Sequence, residues 1–337
     1  MLRSYLFITC ISFCMAMNAT AETFRAGALS TPGDPYDVLW QRFADDIRRE
    51  SDGLLEADLL VRGEVGGEEA LMLAVRRGRI EMAIFTSSGM SAVVPEFAMI
   101  MSPFQFGSLD EADYVLDNHL IEPLSALAAE KGLTVLSWAD EGFQSLYSVT
   151  PLRTPADTAG YRMRSFQVPS SPLFLAALGA DVAAMPFPDV IPALQTGLIR
   201  GGEAGPMTYA SYGLAPVAHH YTLTRHAYSA GVYAANSKWF NGLDVELQNA
   251  IRQAVPDAAE VRHRIRTANT ADLLKASQTG SNVHAPTERE KDAWRAAARA
   301  VPKTLISQIG GQADDIHAHI VSGKAAYAAI QRINNGR

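Results

Sequence analysis

Helix and strand signals alternate from residue 37 to residue 149, and this order restricts the fold more than any other feature of the chain. In DVLWQRFADDIRRE (37–50), Leu39, Phe43 and Ile47 recur every fourth residue, and Gly53 follows as a stop. LEADLLV (55–61) alternates as a half-buried strand does. The turn RGEVGG leads into a helix from about Glu68 to Arg77, Gly78 ends it, and IEMAIF (80–85) is a strand. Ser108 and Glu111 have the spacing of a capping box for a helix running to about Lys131. TVLSW (134–138) and FQSLYSV (143–149) are further strands. Such an order builds a parallel-rich α/β sheet with helices on its faces. With 337 residues, 48% hydrophobic and 19% charged, the chain is long and apolar enough for two packed domains.

A second unit begins after Thr154. Residues 161–166 alternate as a strand, Ser170 or Ser171 caps a helix with Pro172 at its first position, and Gly179 stops it. DVAAM is a strand, FPDVIPALQT a helix, and Gly197 its stop. LMLAVRRGRIEMA (71–83) and VIPALQTGLIRGG (190–202) align without gaps, matching Ala74 with Ala193, Gly78 with Gly197 and Ile80 with Ile199. Both spell helix, glycine stop and strand, as two lobes of similar build would, although any helix-glycine-strand unit shares that outline. Residues 244–279 are helical with a kink expected at Pro256, and helices at about 287–300 and 313–333 complete a tail that braces the lobes.

The first 21 residues differ in character. Arg3 precedes an apolar run from Leu6 to Met17, and Ala19-Thr20-Ala21 is a small-x-small cleavage site. This is a secretory signal peptide, too short in its apolar part for a membrane span. Both cysteines, Cys10 and Cys14, lie inside it, so the exported chain uses no disulfide, thiol nucleophile or cysteine metal ligand. A net charge of −7 argues against a nucleic-acid partner. His219 and His220 diverge as neighbours, and His317 and His319 fall on different helix faces, so no metal site is expected. There is no HExxH, G-x-S-x-G or Walker loop, and no cofactor is implied. GEVGGE (63–68) fits a tight turn near a cleft better than a phosphate loop. An exported two-lobed protein with this inventory is a binding protein before it is an enzyme.

One strand poses a question. GYRMRSFQVPSSP (160–172) carries Arg162 and Arg164 on one face, and a buried guanidinium needs a partner. Longer motifs supply a context. GEVGGEEALMLAVRRGRIEMAI (63–84), VPEFAMIMSPFQF (94–106), TPADTAGYRMR (154–164), ALGADVAAMPFPDVIPALQTGLIRG (177–201) and YTLTRHAYS (221–229) follow one another in this order. The chain thereby resembles the periplasmic solute-binding subunits of TRAP-type (tripartite ATP-independent periplasmic) transporters, the DctP-like family, over most of residues 24–250. The resemblance implies a two-lobed periplasmic-binding-protein-like α/β fold with a ligand cleft between lobes and a long helical C-terminal brace. The partition it implies is a signal peptide at 1–21, lobe I at 22–149 plus about 236–300, lobe II at 150–235, and C-terminal helices at about 301–337. It implies capture of an organic acid in the periplasm for delivery to membrane subunits. It also makes Arg164, and not Arg162, the clamp for the substrate carboxylate, a role that suits a planar guanidinium fork.

Two departures from the family pattern bear on the ligand. Gln144 stands in G-F-Q where many relatives have arginine, and Ala204 or Gly205 takes the place of an asparagine. Both weaken polar contacts, so a C4-dicarboxylate is a poor fit and a sugar acid or other monocarboxylate a better one. Further cleft candidates are Glu68, Thr86, Ser87, Ser88, Phe187 and Glu203, with Trp138 in the core. Glu68 equally suits a helix N-terminus, and Phe187 equally suits core packing. A ligand-binding sensor subunit and a periplasmic enzyme acting on a carboxylate through Glu68 or Glu203 are the alternative functions. The leader gives the first test: intact-mass measurement of the exported protein should place its N-terminus near Glu22.

Overall fold

The computed structural model describes residues 21–335, so the expected leader lies outside the described residues apart from Ala21. Nine strands form one sheet: β1 (Glu22–Gly27), β2 (Leu55–Leu60), β3 (Met82–Thr86), β4 (Leu133–Ser148), β5 (Arg162–Ser165), β6 (Asp181–Ala184), β7 (Gly201–Ala204), β8 (His220–Asn236) and β9 (Asn282–His284). The order is β2-β1-β3-β8-β4-β7-β5-β6, with β9 beside β8. In one lobe β1 runs parallel to β2 and β3, and β3 lies antiparallel to β8. In the other, β5 runs parallel to β6 and β7, and β7 lies antiparallel to β4. The echo seen in the sequence is therefore a shared plan. Helix Glu68–Arg76 stops at Gly78 before β3, and helix Val190–Gln195 stops at Gly197 before β7. Both glycines have positive φ, 66° and 73°, where a side chain is disfavoured.

The strands expected at 134–138 and 143–149 are one strand, β4, that passes through both lobes beside β8. The segment between them looked like a break because it is polar, Asp140-Glu141-Gly142. Instead the ladder slips register there, between Asp140 and Gly142 and again between Gln144 and Leu146, and Gly142 takes φ 78°. These are bulges, which bend a strand without ending it. β8 itself has no counterpart among the elements found from sequence.

Asp140 at the first bulge is fully buried and heavily satisfied. Arg266 Nε donates to it at 2.8 Å, and the Tyr228 hydroxyl at 2.7 Å. Its backbone carbonyl accepts from the Tyr36 hydroxyl at 2.5 Å. Arg266 also forks onto Asp113 at 2.6 and 2.7 Å. Burial pushes the Asp140 carboxyl up, and the Arg266 charge and the Tyr228 hydrogen bond oppose that.

Several boundaries moved for identifiable reasons. The helix expected from Ser108 to Lys131 is Leu109–Val115, a π turn at Leu116–Leu120, and Ile121–Glu130. Pro123 cannot continue a helix begun upstream, but it sits without cost in the first turn of a new one. Ser108 caps as expected, while Glu111 reaches back to Gly107 N at 2.6 Å. Helix Ser170–Ala177 starts earlier than expected, placing Pro172 in its third position, and neither Ser170 nor Ser171 is its cap. Pro256 separates two helices, Val245–Ala254 and Ala258–Gln278, because Asp257 caps the second afresh.

The tail has three helices, Glu288–Ala297, Val301–Ile309 and Ala313–Asn335. β9 pairs with the His220 end of β8, and Trp294 is buried with Tyr161, Met163 and Leu175. That stretch packs on the second lobe, while Phe240, Ile251 and Val261 of the same 236–300 range pack with the first. Val301 joins the same cluster while Leu305, Ile316 and Ile320 join the core of the first lobe, so the tail is tied to both.

Arg266→Ala should leave the Asp140 carboxylate buried without its cation and cost roughly 3–5 kcal/mol of unfolding free energy. Chemical denaturation of the variant measures this directly, and a loss below about 1 kcal/mol would show that the ion pair is not needed at the bulge.

Candidate functional site

A cavity of about 430 Å³ lies where the two lobes meet over the β4–β8 bulges. Its volume is in the range of small-molecule sites. Arg164, third residue of β5, reaches into it and is only 5% exposed. Its Nε donates to the Met185 carbonyl at 3.2 Å, and its guanidinium carbon lies 4.4 Å from the centre of the Phe166 ring. Among the described residues no carboxylate stands within ion-pair distance of it. Burial therefore pulls its pKa down, against the fields of Tyr147, Glu203 and Glu68. The site holds a desolvated cation whose terminal amino groups carry no protein hydrogen bond among the described residues. Arg162, by contrast, is exposed and pairs with Asp181 at 3.2 Å, as expected of a bystander.

Glu68 opens helix Glu68–Arg76 and lines the cavity from the other lobe. Its carboxylate accepts from Thr86 N at 2.5 Å and from the Thr86 hydroxyl at 3.0 Å. Thr86 in turn accepts from Gly89 N at 3.0 Å. A methyl group at Gly89 would come 2.3 Å from the Glu68 Cδ, so only glycine leaves room for this carboxylate. Burial pushes Glu68 up to about 7, against the Thr86 hydrogen bonds and the Arg164 field. Ser88 lines the cavity beside Thr86. Ser87 does not: its hydroxyl donates to the Ala230 carbonyl at 3.0 Å and accepts from Ala230 N, because the chain turns into a helix at that residue.

Gln144 is 3% exposed, and its amide makes only a 3.4 Å contact to the Gly142 carbonyl. Gly205 stands against it, since a methyl there would meet Gln144 Nε2 at 3.3 Å. The two departures from the family pattern thus occupy one spot in the cavity. Glu203 is also buried at 3%, but one oxygen accepts from the Ser171 hydroxyl at 2.6 Å and the other faces His226 Nε2 at 3.5 Å. His226 stacks on Phe174 and bonds Thr224 through Nδ1 at 2.8 Å. Phe187 lines the cavity and packs edge-on to Tyr212 with ring centres 6.2 Å apart. Trp138 is in the core.

Glu141 and Tyr212 are among the cavity residues that escaped the sequence reading. Glu141 sits at the bulge, accepts a short hydrogen bond from the Ser229 hydroxyl, and is pushed up to about 8 by burial, with the Glu68 charge adding to the effect. An acidic pair beside a glycine between two apolar strand segments was the available signal. Tyr212, from the second lobe, donates to Asp34 of the first at 2.7 Å. Nothing local in the sequence marks that pair. Among the described residues there is no group of three or more metal-ligating side chains, and no helix is long and apolar enough to cross a membrane.

A model of the bacterial extracellular solute-binding proteins of family 7, DctP, matches residues 27–308. The chain is similar to the 2,3-diketo-L-gulonate-binding periplasmic protein of Escherichia coli K12, at 27% identity over 261 residues that span 77% of this chain and 80% of that protein. Its structure is similar to a TRAP periplasmic solute binding protein from Roseobacter denitrificans with bound β-D-glucuronate. The TM-score is 0.82 at 26% identity, covering 89% of this chain and 99% of that one. It shares its fold with the sugar acid binding protein of Advenella mimigardefordensis in complex with galactonate, at a TM-score of 0.85, 24% identity, and coverage of 91% and 100%.

The raised carboxyls give a pH signature. Glu68 and Glu141 ordinarily ionise near 4.5, and folding moves them to about 7 and about 8. Between these limits the folded protein holds protons that the unfolded chain releases, so stability falls as pH rises and levels off above the folded values. Glu68→Gln with Glu141→Gln should flatten this part of the profile. Melting temperatures of the ligand-free protein from pH 5 to pH 8.5 measure it, and an unchanged slope in the double variant would exclude these groups as its source.

Proposed function

The chain belongs to the DctP family of bacterial extracellular solute-binding proteins, and on that premise we propose that it captures a hydroxylated monocarboxylic acid, a sugar acid, in the cleft between its lobes. It does so in the periplasm and hands the acid to the membrane subunits of a TRAP-type transporter. The observation that carries the reading is Arg164: a buried guanidinium facing a cavity, with no carboxylate of its own among the described residues. A ligand carboxylate gives that fork two parallel charge-assisted hydrogen bonds in a water-poor site, where they are strong.

The relatives support the class of ligand. The E. coli protein is named for a six-carbon keto acid, and the Roseobacter structure holds a six-carbon sugar acid. Each carries one carboxyl group and several oxygens. Around Arg164 the cavity offers Glu68, Thr86 and Gln144, which suit hydroxyl groups, and Phe187, which suits the apolar face of a carbon skeleton. Gln144 adds no charge, which suits an acid with a single carboxylate. The Tyr212–Asp34 hydrogen bond supports closure of the lobes over the ligand, by a hinge at the β4–β8 bulges. Binding proceeds without turnover.

A thermal-shift screen against a library of organic acids tests the class, because ligand at 100 times its Kd adds about 2.7 kcal/mol of stability. Sugar acids should give the largest shifts. Arg164→Ala should then weaken the best of them by about 2–5 kcal/mol in calorimetric titration, because it strands a desolvated carboxylate. Near wild-type affinity in that variant would remove Arg164 from the site.

A further inference from the structure

Glu141 has an arrangement that the carboxylate clamp does not use. The Gly142 bulge sets it facing the cavity, and two contacts fix it there. The Ser229 hydroxyl donates to one carboxylate oxygen, and Asn269 Nδ2 donates to its backbone carbonyl at 3.3 Å. Asn269 also accepts from Met207 N at 3.0 Å, tying the bulge to helix Pro206–Ser211. The second carboxylate oxygen has no protein partner among the described residues.

Among the described residues no cation pairs with Glu141: of the two arginines that line the cavity, Arg164 is held by the Met185 carbonyl and the Phe166 ring, and Arg76 is exposed. Arg266, the nearest cation to Asp140, is taken up by Asp140 and Asp113. The Ser229 hydroxyl is spent on Glu141, and the Tyr36 hydroxyl on the Asp140 carbonyl.

We propose that Glu141, held by Ser229 on the β4 bulge, is a specificity-determining residue of the cleft, accepting hydrogen bonds from ligand hydroxyls and turning away acids that carry a second carboxylate there. The inference rests on the reading that Arg164 takes the ligand's first carboxylate. An ionised Glu141 accepts from a hydroxyl, and a protonated one also donates. An ionised Glu141 repels a second carboxylate, and among the described residues no cation is paired with it to compensate. Selectivity then comes from an unfavourable contact with the wrong acid as much as from a favourable one with the right acid.

Galactonate and galactarate make a clean pair of probes, because they differ only in a terminal CH2OH against a terminal carboxylate. Calorimetric titration of the wild-type protein at about pH 9, above the value of about 8 to which burial pushes Glu141, should favour galactonate by about 100-fold or more, since like charges placed together are strongly disfavoured. Glu141→Gln should narrow that ratio by about tenfold or more, with most of the change a gain for galactarate. Ser229→Ala, which frees Glu141 but keeps its carboxyl group, should weaken galactonate and leave galactarate the weaker ligand. Circular dichroism and melting of each variant check the fold. A ratio unchanged in Glu141→Gln, or wild-type binding of galactarate as tight as galactonate, overturns the role of Glu141 while leaving the sugar-acid reading in place. Failure of the wild-type protein to bind any sugar acid in the screen overturns both.

Discussion

The pairing of β4 with β8 is the constraint on which the rest depends. These strands, 16 and 17 residues long, run antiparallel through both lobes, and each lobe adds its parallel strands to one side of them. A ladder shared in this way holds the lobes in register without a linker. The polar residues of the cavity floor, Glu141, Gln144 and Ser229, lie on these strands, beside the register shifts. The bulges aim those side chains at the cavity. They also need an anchor, because a bulged ladder leaves backbone groups unpaired. Asp140 supplies it, accepting from Gly142 N at 3.0 Å while Arg266 and Tyr228 hold its carboxylate.

Around that frame the cavity keeps its charges apart by packing. Arg164 is stripped of water, and the Phe166 ring and the Met185 carbonyl compensate only in part. Glycines make the approach possible. At Gly202 a methyl would fall 2.4 Å from the Tyr147 hydroxyl and 3.0 Å from the Arg164 carbonyl. The carboxyls nearby each have a local hydrogen-bond partner in Thr86, Ser171 or Ser229. That keeps them in place without an ion pair to Arg164.

What was legible in the sequence follows from how local each signal is. Helix Pro35–Glu50 and strand β2 were visible because an apolar period and a glycine stop lie within a dozen residues. Arg164 was legible through the motif around it, and so were Glu68 and the two departures at Gln144 and Gly205. The errors are of another kind. β4 was divided at Asp140 because the partners that bury that aspartate, Arg266 and Tyr228, come 126 and 88 residues later. Ser87 and Ser88 were both candidates, because one residue of phase at the end of β3 decides which hydroxyl faces the cavity. Glu141 finds Ser229 across 88 residues, and Tyr212 finds Asp34 across 178. No spacing rule covers such distances.

The duplicated plan of the lobes is broken at one telling pair. In β5, Met163 and Arg164 face Gly201 and Gly202 of β7, while in β1, Ala26 and Gly27 face Met82 and Ala83 of β3. Arg164 and Gly27 are thus counterparts. At Gly27 even a methyl would fall 2.4 Å from Leu71 Cδ1, so the first lobe has no room for a matching arginine. The scaffold is nearly symmetric and its charge is not. Under the proposed Arg164 clamp, a carboxylate finds its anchor on one wall only. The solute would then lie head first against the second lobe with its tail toward the first, giving capture a fixed order in a fold that otherwise treats its two sides alike.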